Sequence, residues 1–161
     1  MSFTLIHAIA GYLFASAISK NQKIRWIGFL AGALPDLDGI FIFFNQDLYY
    51  ALHHELFHPP IYGIALGLII AFIAWKFFKL DKKQVFVAFA GGFIFHSIID
   101  ILFTAWPVKL LWPLSAQEFS YPIFANYIGN AALAIVLAAP FAILLELYVK
   151  KKLIIKKKRV K

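Results

Sequence analysis

The sequence predicts an all-α integral membrane protein: a bundle of about five transmembrane helices with a lid segment over its outer face. Three observations carry that expectation. The chain is 62% hydrophobic and only 15% charged, with 18 Phe and a mean hydropathy of +0.78, more apolar surface than a soluble core of 161 residues can hide. Apolar stretches at 2–19, 24–44, 60–78, 84–104 and 123–149 each approach or exceed the ~20 residues that cross ~30 Å of hydrocarbon. The basic residues, finally, gather in alternate connections between these stretches.

The first stretch, the shortest, lacks the basic leader and small-residue cleavage site of a signal peptide and carries His7, so it is read as a span of the mature protein. The second contains Pro35-Asp36-Leu37-Asp38-Gly39. On a straight α-helix residues two apart point about 200° away from each other, which would keep Asp36 and Asp38 out of one cluster. Pro35 deletes the amide that would pair with Ala31 and Gly39 tolerates unusual backbone angles, so local unwinding beside a polar cavity is expected here. An outer loop at 45–59 follows, then a span at 60–78, then one at 84–104 with His96 and Asp100 four apart on one face. The proline- and tryptophan-rich segment 105–122 cannot continue as a helix and reads as the lid. Gly28/Gly32, Gly63/Gly67 and Gly91-Gly92 suit close helix packing. The whole reads as one domain over 1–149 and a basic tail at 150–161.

Fifteen of the sixteen Lys and Arg residues fall on one side of the predicted crossings, leaving only Lys109 opposite. The positive-inside rule then puts the N-terminus outside and the C-terminus in the cytoplasm of a prokaryotic plasma (inner) membrane. Asp36, Asp38, Asp47, Glu55, Asp100 and Glu118, with all five histidines, belong to the outer half. The tail KKLIIKKKRVK is a topology signal that meets anionic lipid headgroups rather than a nucleic-acid arm. The expected partner is membrane lipid, as environment and as substrate, and no nucleic acid.

Depth sharpens the pattern. At 1.5 Å per residue, His7, Asp36 and His96 each lie roughly 18–20 Å above the basic boundary, on three different spans. Ionisable groups at such depth are costly unless paired or metal-bound, and they default to functional roles. The outer loop adds His53, His54 and His58, of which His54 and His58 would share a face if the loop is helical, while His53 requires an irregular turn. His7, Asp36, Asp38, His53, His58, His96 and Asp100 are therefore the candidate ligands. Imidazole and carboxylate donors, with no Cys in the chain, fit two or three divalent ions of the Zn or Mn kind better than Ca.

The order His7, Pro35-Asp36-Leu37-Asp38, His53 to His58, His96-Ser-Ile-Ile-Asp100, Thr104 and Leu110-Leu111-Trp112-Pro113 resembles the prokaryotic membrane-bound metal-dependent hydrolase family typified by the LexA-regulated inner-membrane protein. That family is distantly similar to zinc-dependent phospholipase C. Its His-Arg-Gly-x-x-His-Ser loop aligns with His53 and His58, but His54 stands for the Arg, Glu55 for the Gly and Pro59 for the Ser. The resemblance implies hydrolysis of a phosphoester at lipid-headgroup level. Asp38 is the expected general base. Thr104 is expected either to hydrogen-bond a ligand or substrate oxygen or to cap its helix. His54, where the family's Arg would grip an anion, and Lys109 are the expected substrate contacts. A rival expectation from another class is a divalent-metal carrier or sensor using the same ligands.

Since the chain has no cysteine, single substitutions Gln46→Cys and Lys82→Cys test the topology without background. An impermeant thiol reagent applied to intact cells is expected to label position 46 and spare position 82; the opposite pattern reverses the orientation.

Overall fold

The computed structural model describes residues 4–53, 55, 57–123 and 143. The chain divides into two compact units, 1–126 and 127–161. In the second, Ile143 is the described residue, helical and buried. The span expected at 123–149 is otherwise outside the described residues from 124 on, as are the basic tail at 150–161 and His54.

The described part is all-α: helices α1 (Thr4–Ile18), α2 (Gln22–Ala33), α3 (Gln46–Leu52), α4 (Pro60–Phe78) and α5 (Lys82–Phe103), with a 3₁₀ helix at Leu34–Phe43 running on from α2. Polar side chains start three of them, as helix N-caps should. Asn21 accepts from the Lys23 amide, Asn45 from the Leu48 amide and Asp81 from the Gln84 amide at 2.7 Å. Proline opens α4, where its missing amide costs nothing. Among the described residues, three segments are long and apolar enough to cross a membrane: Gln22–Phe43, Pro60–Phe78 and Lys82–Phe103. α1 is apolar too, but its 15 residues extend only about 22 Å, short of the hydrocarbon thickness.

The local unwinding expected in the second span takes the form of a change of winding. From Leu34 the α-helix continues as 3₁₀. With 3.0 residues per turn, residues two apart diverge by about 120°, against about 160° the short way round an α-helix. Asp36 and Asp38 can then serve neighbouring parts of one cluster. Pro35, at the start of this segment, marks the change. Gly39 contributes nothing special: no described glycine has a positive φ, and a Cβ added to Gly39 would meet open space.

α5 is the axis on which α1, α2 and α4 pack. The helices approach through glycine. A Cβ at Gly11 or Gly32 would run into α2 or α1 backbone respectively, and one at Gly28 would lie 2.6 Å from the Gly11 carbonyl oxygen. Gly92 closes α5 onto the same spot, 2.9 Å from the Gly28 oxygen by the same measure. Below this contact Ala15, Ile24, Ala71, Ala74, Val85 and Ala88 form a core of small aliphatic groups, and Ala31, Phe89 and Phe93 form another. Leu13, Leu30, Leu68, Phe72 and Phe77 stay exposed on the outer faces, as lipid contact requires.

Gly28→Val is expected to destabilise the folded protein in detergent by about 1–3 kcal/mol through overpacking, whereas Gly39→Ala is neutral within error. Thermal or denaturant unfolding of the two variants compares them directly, and equal effects would contradict the packing described.

Candidate metal centre

Each ligand-bearing helix carries a glycine one turn from its ligand: Gly11 from His7, Gly32 from Asp36, Gly92 from His96. Close approach at the glycines therefore brings the next turn of three elements to one point. There His7, His96 and Asp100 offer ligand atoms within 4.8 Å of one another, as do Asp36, His53 and His58. His7 is 1% exposed and His58, His96 and Asp100 are fully buried.

The two groups interlock. His7 Nε2 lies 3.3 Å from Asp100 Oδ1 while its Nδ1 lies 3.6 Å from Asp36 Oδ2. His96 Nε2 faces Asp100 Oδ2 at 3.0 Å and Asp36 Oδ1 at 3.5 Å. His58 Nε2 faces Asp100 Oδ2 at 3.5 Å and Asp36 Oδ1 at 3.9 Å. Asp36 and Asp100 thus stand between imidazoles of both groups.

Hydrogen bonds fix which ring nitrogens face inward. The 3₁₀ winding and Pro35 take the backbone donors away from the last α-turn of α2, and one carbonyl so released, Gly32 O, accepts from His96 Nδ1 at 2.7 Å. A carbonyl only accepts, so His96 carries a proton on Nδ1 and turns Nε2 toward Asp36 and Asp100. His53 Nδ1 likewise donates to Asp38 Oδ1 at 2.8 Å. Asp38 Oδ2 lies 3.9 Å from His58 Nδ1. Asp38, 1% exposed, therefore stands behind two histidines. A carboxylate that orients a ligating imidazole from its far nitrogen is the usual outer partner of a metal-bound histidine.

This donor set fits a divalent cation. His7 Nδ1 and Nε2, His96 Nε2, Asp36 Oδ2 and Asp38 Oδ2 are buried and make no hydrogen bond among the described residues. A lone pair aimed at a carboxylate repels it unless positive charge lies between. Protonating both His7 and His96 would supply that charge but would stack two imidazolium rings at 3.9 Å between centroids. A cation lets both rings stay neutral. Nitrogen and carboxylate oxygen with no sulfur suit Zn or Mn.

His53 reaches the cluster as the C-cap of α3, in extended conformation, and the described residues between it and Pro59 are turn and coil. The His53 ring lies 5.0 Å from that of His58, while His54 is outside the described residues. Ser97, beside His96, donates to the His58 carbonyl and so ties this loop to α5. Tyr49 and Trp106 pack on the His53 ring at 4.7 and 4.9 Å. Burial, and then the charges of Asp38 and Asp36, push the Tyr49 phenol above its ordinary range, so it remains a donor at neutral pH.

The segment after α5 covers this loop. Val108 and Phe119 pair in an isolated bridge, the Tyr121 amide returns to Ile101 O at 2.8 Å, and Trp106 stacks on Tyr50. Lys109 forms an ion pair with Glu55 and lies 4.0 Å from Glu118. The Glu55 hydrogen bond raises Lys109 above its usual range and keeps it cationic. Thr104 is not directed into the cluster: its hydroxyl meets the Asp100 and Trp106 carbonyls at 3.0 and 3.2 Å, the capping alternative of the two expected for it. Gly11, Ser97, Tyr49 and Glu55 were not among the expected site residues. Gly11 was legible as a glycine one turn from His7, and Ser97 as a polar group inside an apolar span.

Among known families, the sequence model of the YdjM inner membrane protein family matches residues 1–157. The chain belongs to that family. No curated protein and no solved structure matches it.

Because Asp36 stands between the two groups and His96 is held from its far nitrogen, His96→Ala and Asp36→Ala are both expected to lower bound metal. Elemental analysis of folded, monodisperse protein reads the result, and unchanged metal content in both variants would refute a shared centre.

Proposed function

We propose that this member of the YdjM inner membrane protein family is a metal-dependent hydrolase acting on a phosphoester at lipid-headgroup level. The observation that carries the reading is the interlocked pair of ligand groups, His7/His96/Asp100 and Asp36/His53/His58, at one mouth of the bundle. When bound, divalent cations at such a site polarise phosphoryl oxygens and acidify water. The outer orientation of that mouth follows from the basic asymmetry of the sequence and would put the substrate in the outer leaflet.

The chain's own residues divide the remaining work. Asp38 holds the His53 ring by accepting from Nδ1, which fits an orienting carboxylate better than the general base expected from the sequence. Lys109, cationic and within the covering segment, would exchange Glu55 for a phosphate oxygen of the substrate. Trp106, Tyr49 and Tyr50 shield the histidine loop from water. Thr104 keeps the end of α5 closed beneath Asp100 and so steadies that carboxylate.

A carrier built on the same ligands would need polar groups leading away from them. Toward the basic end the described interior is mostly apolar, with Ala15, Ile24, Ala31, Val85, Ala88 and Phe93 buried, and its buried polar groups are tied locally: Arg25 Nε donates to the Ser19 carbonyl and the Tyr12 hydroxyl accepts from Gln22. These residues support a site open to one side.

Activity against phospholipids, isoprenoid phosphates or a generic phosphodiester is expected to vanish with chelator and return with Zn or Mn. Asp38→Asn should lower kcat or metal affinity about 10–100-fold, the effect of losing an outer partner; a loss of about 10²–10⁴ in kcat with metal fully retained would restore the general-base role. Metal-replete protein that hydrolyses none of these, but admits divalent cations into liposomes, would favour the carrier.

A further inference from the structure

The basic end of the bundle holds a separate feature. α2 and α4 each pack on α5 but hardly on one another, and a groove of about 450 Å³ lies between them. Phe89 of α5 is its floor, Trp26 and Leu30 form one wall, and Ile70 and Phe78 form the other. Its lining is apolar apart from Lys23, at the end where the basic residues gather. Lys23 is exposed, its ammonium sits 5.8 Å above the Phe78 ring, and it makes no ion pair among the described residues.

We propose that this groove binds one acyl chain of an anionic phospholipid, with the lipid phosphate meeting Lys23. An apolar furrow within a membrane span cannot hold water without losing its apolar contacts, so a hydrocarbon chain is the occupant its chemistry calls for. Its volume falls in the range of small-molecule sites. Charge selects the headgroup. Lys20, Lys23, Lys76, Lys79, Lys82 and Lys83 surround this end, against Asp81, whose carboxylate accepts from the Gln84 amide. A zwitterionic headgroup would bring its own cation among these lysines; an anionic one brings none. The stem of Lys23 lies along the groove while its ammonium reaches the headgroup level marked by Trp26.

Native mass spectrometry of the full chain, extracted from an equal mixture of phosphatidylglycerol and phosphatidylcholine, tests this. One retained lipid per chain is expected, with phosphatidylglycerol preferred. Lys23→Gln should cut that preference about fivefold, and Lys20→Gln, at the same end but outside the groove, should lower it by less. Leu30→Trp fills the groove from its exposed wall and should abolish retention without lowering the unfolding temperature. Equal retention of the two lipids, or an unchanged preference in Lys23→Gln, overturns the proposal. So does a dimer mass without lipid, which would mean that a second copy of the chain covers the groove.

Discussion

Asp36, Asp38 and Asp100 lie close enough that their charges repel, and they do so among buried groups at the depth of membrane spans. Such an arrangement persists only if positive charge sits among the carboxylates. Four imidazoles surround them, and two are held through their Nδ1 atoms, His96 by Gly32 O and His53 by Asp38. The rest of the molecule follows from keeping these seven side chains together. Repulsion among the acids would drive the helices apart were they not closed by packing elsewhere, and a bound cation would turn the same repulsion into cohesion.

The packing that closes them is glycine contact one turn away. Gly11, Gly28, Gly32 and Gly92 let three backbones meet where any side chain would hold them apart. The winding change at Leu34 then does two jobs at once. It swings Asp36 and Asp38 toward neighbouring parts of the cluster, and it frees the carbonyl that fixes the tautomer of His96. Specific geometry at the site thus rests on a local departure from α-helix that proline enforces and that an apolar span tolerates only beside polar partners.

Much of this was legible in the sequence. Periodic apolar length gave the described spans, and equal depth from the basic boundary singled out His7, Asp36 and His96 before any fold was known. The Pro35 break was legible as a break, though not as 3₁₀ winding, and Gly39 drew attention it did not merit, because no left-handed residue is needed there. The choice between His53 and His54 was not legible. His53 leaves the end of α3 in extended conformation, and the described residues 55, 57 and 58 are not helical, which spacing alone did not show. Nor could spacing tell the two acids apart: Asp36 and Asp38 are alike in sequence, yet Asp36 faces His7, His58 and His96 while Asp38 faces His53 and His58.

The central claim is that imidazoles and carboxylates from both groups hold metal together. X-ray absorption at the zinc edge of zinc-loaded protein measures this without reference to any substrate. The account predicts a first shell of nitrogen and oxygen at about 2.0–2.2 Å, with outer-shell scattering from more than one imidazole that weakens in the His96→Ala protein. A first shell of oxygen alone, or an imidazole signal that His96→Ala leaves intact, would contradict it.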